Sequence, residues 1–350
     1  MHVGIDCRFG GTLSGLGSYT RALVPHLLQR SDSMQYTLFV RSTEEAWVQE
    51  LLASPTSYAL RPTPYPHYSL SEQALFPLTL RRSGIDLFFS LHFNVPLACP
   101  VPFVATVHDL ILHRFPNEAP LWKKIAYRCV MRHTVTRACT LIAVSQFVLR
   151  ELRATYGEAI VQKTTIIPEG VDGRFFRRSA GEQEDVLLRY NIRKPFFLYI
   201  GNAKEHKNVQ MLIVAFKNLH SLEKTLVLVT FGREADVLEP LEGIQRLSSV
   251  PEADLPALYS AAEAFVTASL YEGFCLPIAE ARACGCPVVA FRTGAIPEVI
   301  GDGGVLVDPQ GAALTVALQS PPSVSPAPWP QRRWEAVAED TARCLLMARS

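Results

Sequence analysis

Residues 264–291 read AFVTASLYEGFCLPIAEARACGCPVVAF. Ala264–Thr267 and Val288–Phe291 are short apolar runs that read as strands. Between them Pro277–Ala283 reads as a helix, with Pro277 at its first position, where a missing N–H is not needed. Strand, loop, helix and strand in this order make a βαβ unit, which requires parallel pairing. Glu272 lies in the loop and Glu280 in the first turns of the helix. Pro277 prevents one continuous helix through both, so loop and helix let the two carboxylates face one cleft. Backbone N–H groups near 275–278 would then point outward, as an anion site requires. The same acids also suit a plain helix start, where they only offset the helix dipole. The segment by itself leaves both readings open.

Working outward, the same rhythm fills the chain. Met1–Ile5, Tyr36–Val40, Leu87–Ser90, Phe103–Val107, Leu141–Val144 and Thr164–Ile167 read as strands. Tyr19–Gln29 and Leu121–Ala138 read as helices. The rhythm restarts after PEGVD at 168–172, with strands Phe196–Ile200 and Leu226–Thr230 and helices Val209–Leu219, Leu255–Ala262 and Pro297–Ile300. Val305–Val307 is the last expected strand. Two successive α/β units with parallel sheets are therefore expected. The polar stretch Asp172–Glu184 suits a linker and entry loop. Residues 321–330 hold five prolines in PPSVSPAPWP, too many for regular helix or central strand. An amphipathic terminal helix follows, from Trp334 to Ala348. The expected domains are 1–172, 173–328 and a closing element 329–350.

Composition excludes several classes. The 350 residues are 48% hydrophobic and 19% charged, which allows a large core and excludes a disordered or collagen-like chain. Lys+Arg number 34 and Asp+Glu 33, so no global field marks nucleic acid as a partner. The halves differ modestly: 16 basic against 12 acidic residues over 1–170 (+4), and 18 against 21 over 171–350 (−3). No run of about 18 apolar residues suggests a spanning helix, and the start MHVGIDCRFGG lacks a signal-peptide pattern. Eight scattered cysteines without metal spacing read as reduced thiols in a cytoplasmic protein.

Two further loops carry chemistry. GNAKEHKN at 201–208 follows a strand and precedes a helix. Gly201 lets the chain turn at the sheet edge, Asn208 reads as an N-cap, and Lys204 and Lys207 are placed to meet a negative charge. A solvated basic loop is the plainer alternative. GGTLSGLGS at 10–18 follows the first strand, and Gly15 and Gly17 permit close backbone approach to a ligand. It is neither GxGxxG nor a P-loop, so nicotinamide and P-loop chemistry are not supported. The chain holds no Asp-x-Asp pair for a metal-held diphosphate. Helix ends and lysines would have to neutralise such an anion.

With these residues in view, the chain resembles glycosyltransferase family 4. The carriers are Glu272 and Glu280 as the Glu-x7-Glu element in EGFCLPIAEARACGCPVVA, the stretch 293–302 ending VLVDP at 305–309, and the GN…HKN loop. Upstream, VHDL at 107–110, IAVS at 142–145 and IPEGVD at 167–172 also fit. The resemblance implies the GT-B fold, α/β, with two Rossmann-like domains facing a cleft and a C-terminal helix crossing back to the first. It implies a retaining, metal-independent hexosyltransferase using a nucleotide diphosphate sugar, such as GDP-mannose or a UDP-hexose, with no cofactor. The context is bacterial polysaccharide or glycolipid assembly.

The resemblance also implies roles. Lys207 holds the donor diphosphate, Glu272 the hydroxyls of the transferred sugar and Glu280 the ribose. Phe274, Cys275 and Leu276 line the diphosphate, with Cys275 standing where relatives have Gly. Asn202 stands where many relatives have Arg, which leaves Lys204 as the candidate to supply that charge. Gly15 and Gly17 bring amides from the first domain, and His108 approaches the sugar. The candidate catalytic residues are His108, Lys207 and Glu272. Read alone, His108 after a buried strand equally suits a hydrogen-bonded structural histidine. The first domain should hold a glycan or lipid-linked acceptor. Lys123, Lys124, Arg128, Arg132 and Arg137 on one helix suggest peripheral contact with an anionic membrane at the inner face of the plasma membrane, or an ordinary solvated face. A nucleotide-sugar epimerase and a non-catalytic nucleotide-sugar-binding partner of a transferase are the alternatives.

Overall fold

The computed structural model describes residues 1–12, 14–30, 34–53, 58–219, 224–232, 241–248, 250–322 and 332–348. Leu13 of the glycine loop and most of the proline-rich segment, with Trp329 and the boundary expected at 328, lie outside them. The chain forms two compact units, Met1–Gly170 with Arg332–Ser350, and Val171–Gln331.

The first unit is built on seven strands: β1 (His2–Asp6), β2 (Gln35–Val40), β3 (Tyr58–Pro62), β4 (Leu87–Ser90), β5 (Phe103–Val107), β6 (Thr140–Ala143) and β7 (Thr164–Ile166). Their order is β3-β2-β1-β4-β5-β6-β7, and every pair is parallel. Every residue of β4 and β5 is buried, because helices cover both faces of a parallel sheet. That double burial explains why these strands read as unbroken apolar runs.

The second unit has six strands: β8 (Phe196–Asn202), β9 (Thr225–Phe231), β10 (Ile244–Leu247), β11 (Ala264–Thr267), β12 (Val288–Phe291) and β13 (Gly304–Val307). Their order is β10-β9-β8-β11-β12-β13, again parallel throughout. In both sheets the order of strand addition reverses once, between β1 and β4 and between β8 and β11. In open α/β sheets ligands bind beyond the strand C-termini at such a reversal. The terminal helix Trp334–Met347 packs on helix Gly15–Leu28 of the first unit, with the Tyr19 and Trp334 rings edge to face at 5.5 Å.

Two expectations change. The stretch read as linker, Asp172–Glu184, contains the start of a helix, Ala180–Arg189. Its N-terminus is a full capping box: Ser179 accepts from the Glu182 N–H and Glu182 accepts from the Ser179 N–H. Of the charges in that stretch, Glu182 and Glu184 lie on the exposed face of the helix, and Asp172, Arg174, Arg177 and Arg178 precede it. Asn208 does not cap its helix through its side chain. Its backbone is left-handed at φ 52°, and Nδ2 donates to the Ala268 carbonyl at 3.3 Å.

Candidate functional site

The switch point of the second sheet brings two loops together. Gly201, read from the sequence as the turn, lies inside β8 and pairs with Thr230; the loop after β8 runs from Ala203 through Lys204 to Lys207, and the loop after β11 from Ala268 to Cys275. The Leu270 N–H donates to the His206 carbonyl at 2.7 Å, which ties one loop to the other. On its far side the second loop rests on Thr293–Ala295. Thr293 Oγ1 donates to Ser269 O, and the Ala295 N–H donates to Glu272 O at 2.9 Å. Gly294 is required there: it has φ 57°, and a Cβ would lie 2.5 Å from the Glu272 carbonyl oxygen. Gly294 and Thr293 had no assigned role in the sequence reading, although their Thr-Gly pair lies inside the stretch that carried the resemblance.

Held in this way, Glu272 receives Lys207 at both oxygens. Lys207 Nζ stands 2.6 Å from Oε1 and 2.8 Å from Oε2. The side chains are 19% and 10% exposed, so the pair is reachable but poorly screened. The neighbours divide. Asn202 Oδ1 accepts from the Lys204 N–H at 3.2 Å, which shapes the turn, and the Lys204 side chain is exposed. Phe274 packs its ring against the core, and Leu276 opens helix Leu276–Ala283. Cys275 precedes that helix in the left-handed region, φ 82° and ψ 66°, where a Cβ is strained. Its thiol is buried, and burial together with the Glu272 carboxylate pushes its pKa well up.

Glu280 is not part of the lysine pair. It accepts from the Tyr259 hydroxyl at 3.0 Å. Burial raises its pKa to about 7, partly offset by that hydrogen bond. Among the described residues, no group of three or more His, Cys, Asp or Glu is placed to hold a metal ion.

The remaining candidates belong to the first unit. Gly15 is exposed, with no atom near its missing side chain. Gly17 is tight: a Cβ there would lie 2.1 Å from the Thr12 carbonyl, and its N–H donates to Ser14 Oγ at 3.2 Å. Ser14 thereby caps the helix, and the Gly17 amide is already engaged. His108 follows β5 and is bound at both nitrogens, by Glu169 and by the Leu91 carbonyl. Asp109 accepts from the Ile111 N–H at 3.0 Å, the capping-type contact its position suggests.

The first unit also holds an ion network that sequence reading did not find. Arg8, fully buried, donates to Asp6 and to Glu72 at 2.7 Å each. On helix Leu121–Arg137, Lys123, Arg128, Arg132 and Arg137 are exposed and Lys124 half-buried. Beside them Leu121, Trp122 and Ile125 are 69%, 62% and 56% exposed.

The family signature "Glycosyltransferase Family 4" matches residues 13–174, and "Glycosyl transferases group 1" matches residues 186–318. The chain carries the paired domains of a family 4, group 1 glycosyltransferase. The chain is 35% identical to the O-antigen chain mannosyltransferase B of Escherichia coli over 221 residues, 59% of this chain and 57% of that protein. The chain spans little more than half the length of the curated relatives it matches. In fold it is similar to sucrose-phosphate synthase from Thermosynechococcus elongatus, with TM-score 0.74, 19% identity and full coverage of both chains. It is also similar to Anabaena Alr3699/HepE in complex with UDP-glucose, with TM-score 0.71, 17% identity, and coverage of 100% and 97%. The fold is GT-B, two Rossmann-like parallel-sheet domains.

Proposed function

We propose that this glycosyltransferase moves a hexose, mannose in the first instance, from a nucleotide diphosphate sugar to a hydroxyl of a glycan or lipid-linked acceptor. The anomeric configuration is kept. The observation that carries the reading is the Lys207–Glu272 pair at the switch point of the second sheet. A cation and a carboxylate in contact match the two ends of the bond that must break. Lys207 takes the departing diphosphate, and Glu272 takes sugar hydroxyls.

Without a donor the two groups neutralise each other. With a donor, Lys207 turns to phosphate oxygen and Glu272 accepts from the sugar. The bond between the anomeric carbon and the phosphate oxygen breaks, and the acceptor oxygen bonds to that carbon from the same face. The acceptor proton passes to the departing phosphate oxygen. The protein supplies orientation and leaving-group stabilisation. Glu280 accepts from the ribose, and the backbone at Phe274–Leu276 faces the diphosphate with Asn202 and Lys204 beside it. No metal or cofactor takes part in this proposal.

The mannose follows the mannosyltransferase relative, and a nucleotide diphosphate sugar as donor is in keeping with the neighbour solved with UDP-glucose; GDP-mannose and the UDP-hexoses are the candidates, GDP-mannose first. The context is cell-surface polysaccharide assembly on the inner face of the plasma membrane. Its docking surface is the exposed apolar and basic face of helix Leu121–Arg137. No helix among the described residues is long and apolar enough to cross a membrane. The test is a panel of labelled nucleotide sugars, screened for binding, then for transfer with and without EDTA. Transfer that releases nucleoside diphosphate only with acceptor supports the reading. Donor turnover without acceptor indicates an epimerase, and binding without turnover a non-catalytic partner.

A further inference from the structure

His108 lies at the C-terminal edge of β5, where the first sheet presents its loops. Its Nε2 stands 2.9 Å from the Leu91 carbonyl oxygen, and its Nδ1 stands 3.0 Å from Glu169 Oε1. A carbonyl only accepts, so Nε2 carries a proton. An ionised carboxylate also only accepts, so Nδ1 carries one as well. The alternative puts the second proton on Glu169. Imidazole is the more basic of the two kinds of side chain, and the 3.0 Å contact is that of a ring N–H with a carboxylate oxygen, which places it on the ring.

We infer that Glu169 holds His108 as an imidazolium with both N–H groups engaged, so that His108 is a fixed positive charge and not a proton-transfer group. Glu169 is then a positioning residue, acting through His108. The surroundings agree. Tyr19 meets the ring edge-on at 4.5 Å, offering no competing acceptor nitrogen or carboxylate. His92, with its ring 6.4 Å away, is held well below the ordinary histidine pKa, first by burial and then by His108. It does not add a second cation. Asp109, next in the chain, adds a favourable negative charge. For His108 itself burial opposes the charge, but the hydrogen bond and carboxylate of Glu169 outweigh it and raise the pKa.

Such a group has no lone pair with which to serve as a base, and the Glu169 carboxylate balances its charge. That His108 matters for transfer rests on the function proposed above; the charge state does not. Nitrogen NMR of the full chain labelled in histidine tests it, with His108 assigned by His108→Gln. In the wild type both ring nitrogens should be protonated at pH 7. Glu169→Gln should lower the His108 midpoint by at least one pH unit, a tenfold change in the imidazolium ratio, and Glu169→Asp should restore part of it. A neutral His108 ring in the wild type at pH 7, or a midpoint unmoved in Glu169→Gln, overturns the inference. Should Glu169→Gln fail to fold, the wild-type titration and Glu169→Asp decide. In a transfer assay, kcat of Glu169→Gln should fall as pH rises through the lowered midpoint, where the wild type holds steady. A wild type that transfers nothing overturns the donor reading, and the titration still decides the charge state.

Discussion

Lys207 Nζ and the two carboxylate oxygens of Glu272 form a forked ion pair at 2.6 and 2.8 Å across 65 residues of sequence. The pair joins the two loops at the reversal of the second sheet. Its backbone supports come from both sides, His206 with Leu270 and Ala295 with Glu272. Little of the geometry therefore depends on the pair alone.

That arrangement makes the pair's energetics testable without any substrate. Lys207→Met leaves a mostly buried carboxylate without its cation, and Glu272→Leu leaves the cation without its carboxylate. Each should destabilise the protein by about 1–3 kcal/mol, less than for a fully desolvated pair. The double variant should recover part of the loss. Urea unfolding of the four proteins gives the coupling; strictly additive losses would show that the contact contributes nothing.

Glu280 should make stability depend on pH. Its carboxyl titrates at about 7 in the folded chain, raised by burial, against about 4.3 when unfolded. Between these values the folded state holds a proton the unfolded state has lost. Its contribution to stability therefore falls as pH rises from about 4.3 to 7, by roughly 4 kcal/mol at most. Glu280→Gln should raise Tm at pH 8 and leave it nearly unchanged at pH 4. Equal shifts at both values would count against a raised pKa.

Cys275 sits where a side chain is strained, so the loop should tolerate glycine and resist a β-branched residue. Cys275→Gly should fold and bind donor at least as well as the wild type, strain relief offsetting the lost buried thiol. Cys275→Val should lose about 1–3 kcal/mol and weaken donor binding. Isothermal calorimetry and denaturant melts of both variants check this. A stable Cys275→Val would mean the loop has another conformation.

The exposed face Leu121, Trp122 and Ile125 beside Lys123, Arg128 and Arg132 should bind vesicles containing anionic lipid and ignore neutral ones. Trp122→Ala/Ile125→Ser should lower the sedimented fraction severalfold. Raising salt should weaken what remains. Equal binding to neutral vesicles, or none to either kind, would contradict the surface role.

Much of this was legible beforehand, for physical reasons. The buried strands β4, β5, β11 and β12 read as apolar runs because both their faces are covered. Edge strands β3 and β10 were missed, since partial exposure leaves them weakly patterned. Lys207 and Glu272 could each be named from their loops, but not their contact, which folding makes. Glu169 lies 61 residues from His108, and no spacing rule links them. Helix Ala180–Arg189 was hidden by its charge, although Ser179 and Glu182 spelled a capping box. Gly17 was read as a place for ligand approach, whereas the Thr12 carbonyl already explains its missing side chain.

The central claim is that the Lys207–Glu272 pair works on a nucleotide diphosphate sugar. The direct measurement is turnover of purified wild type and Glu272→Ala with labelled GDP-mannose and an acceptor glycan. Removing a group that stabilises the transition state typically costs about 2.7–4 kcal/mol of barrier. The account predicts a fall of at least two orders of magnitude in Glu272→Ala with the fold intact by circular dichroism. Near-normal turnover in a folded Glu272→Ala would contradict it.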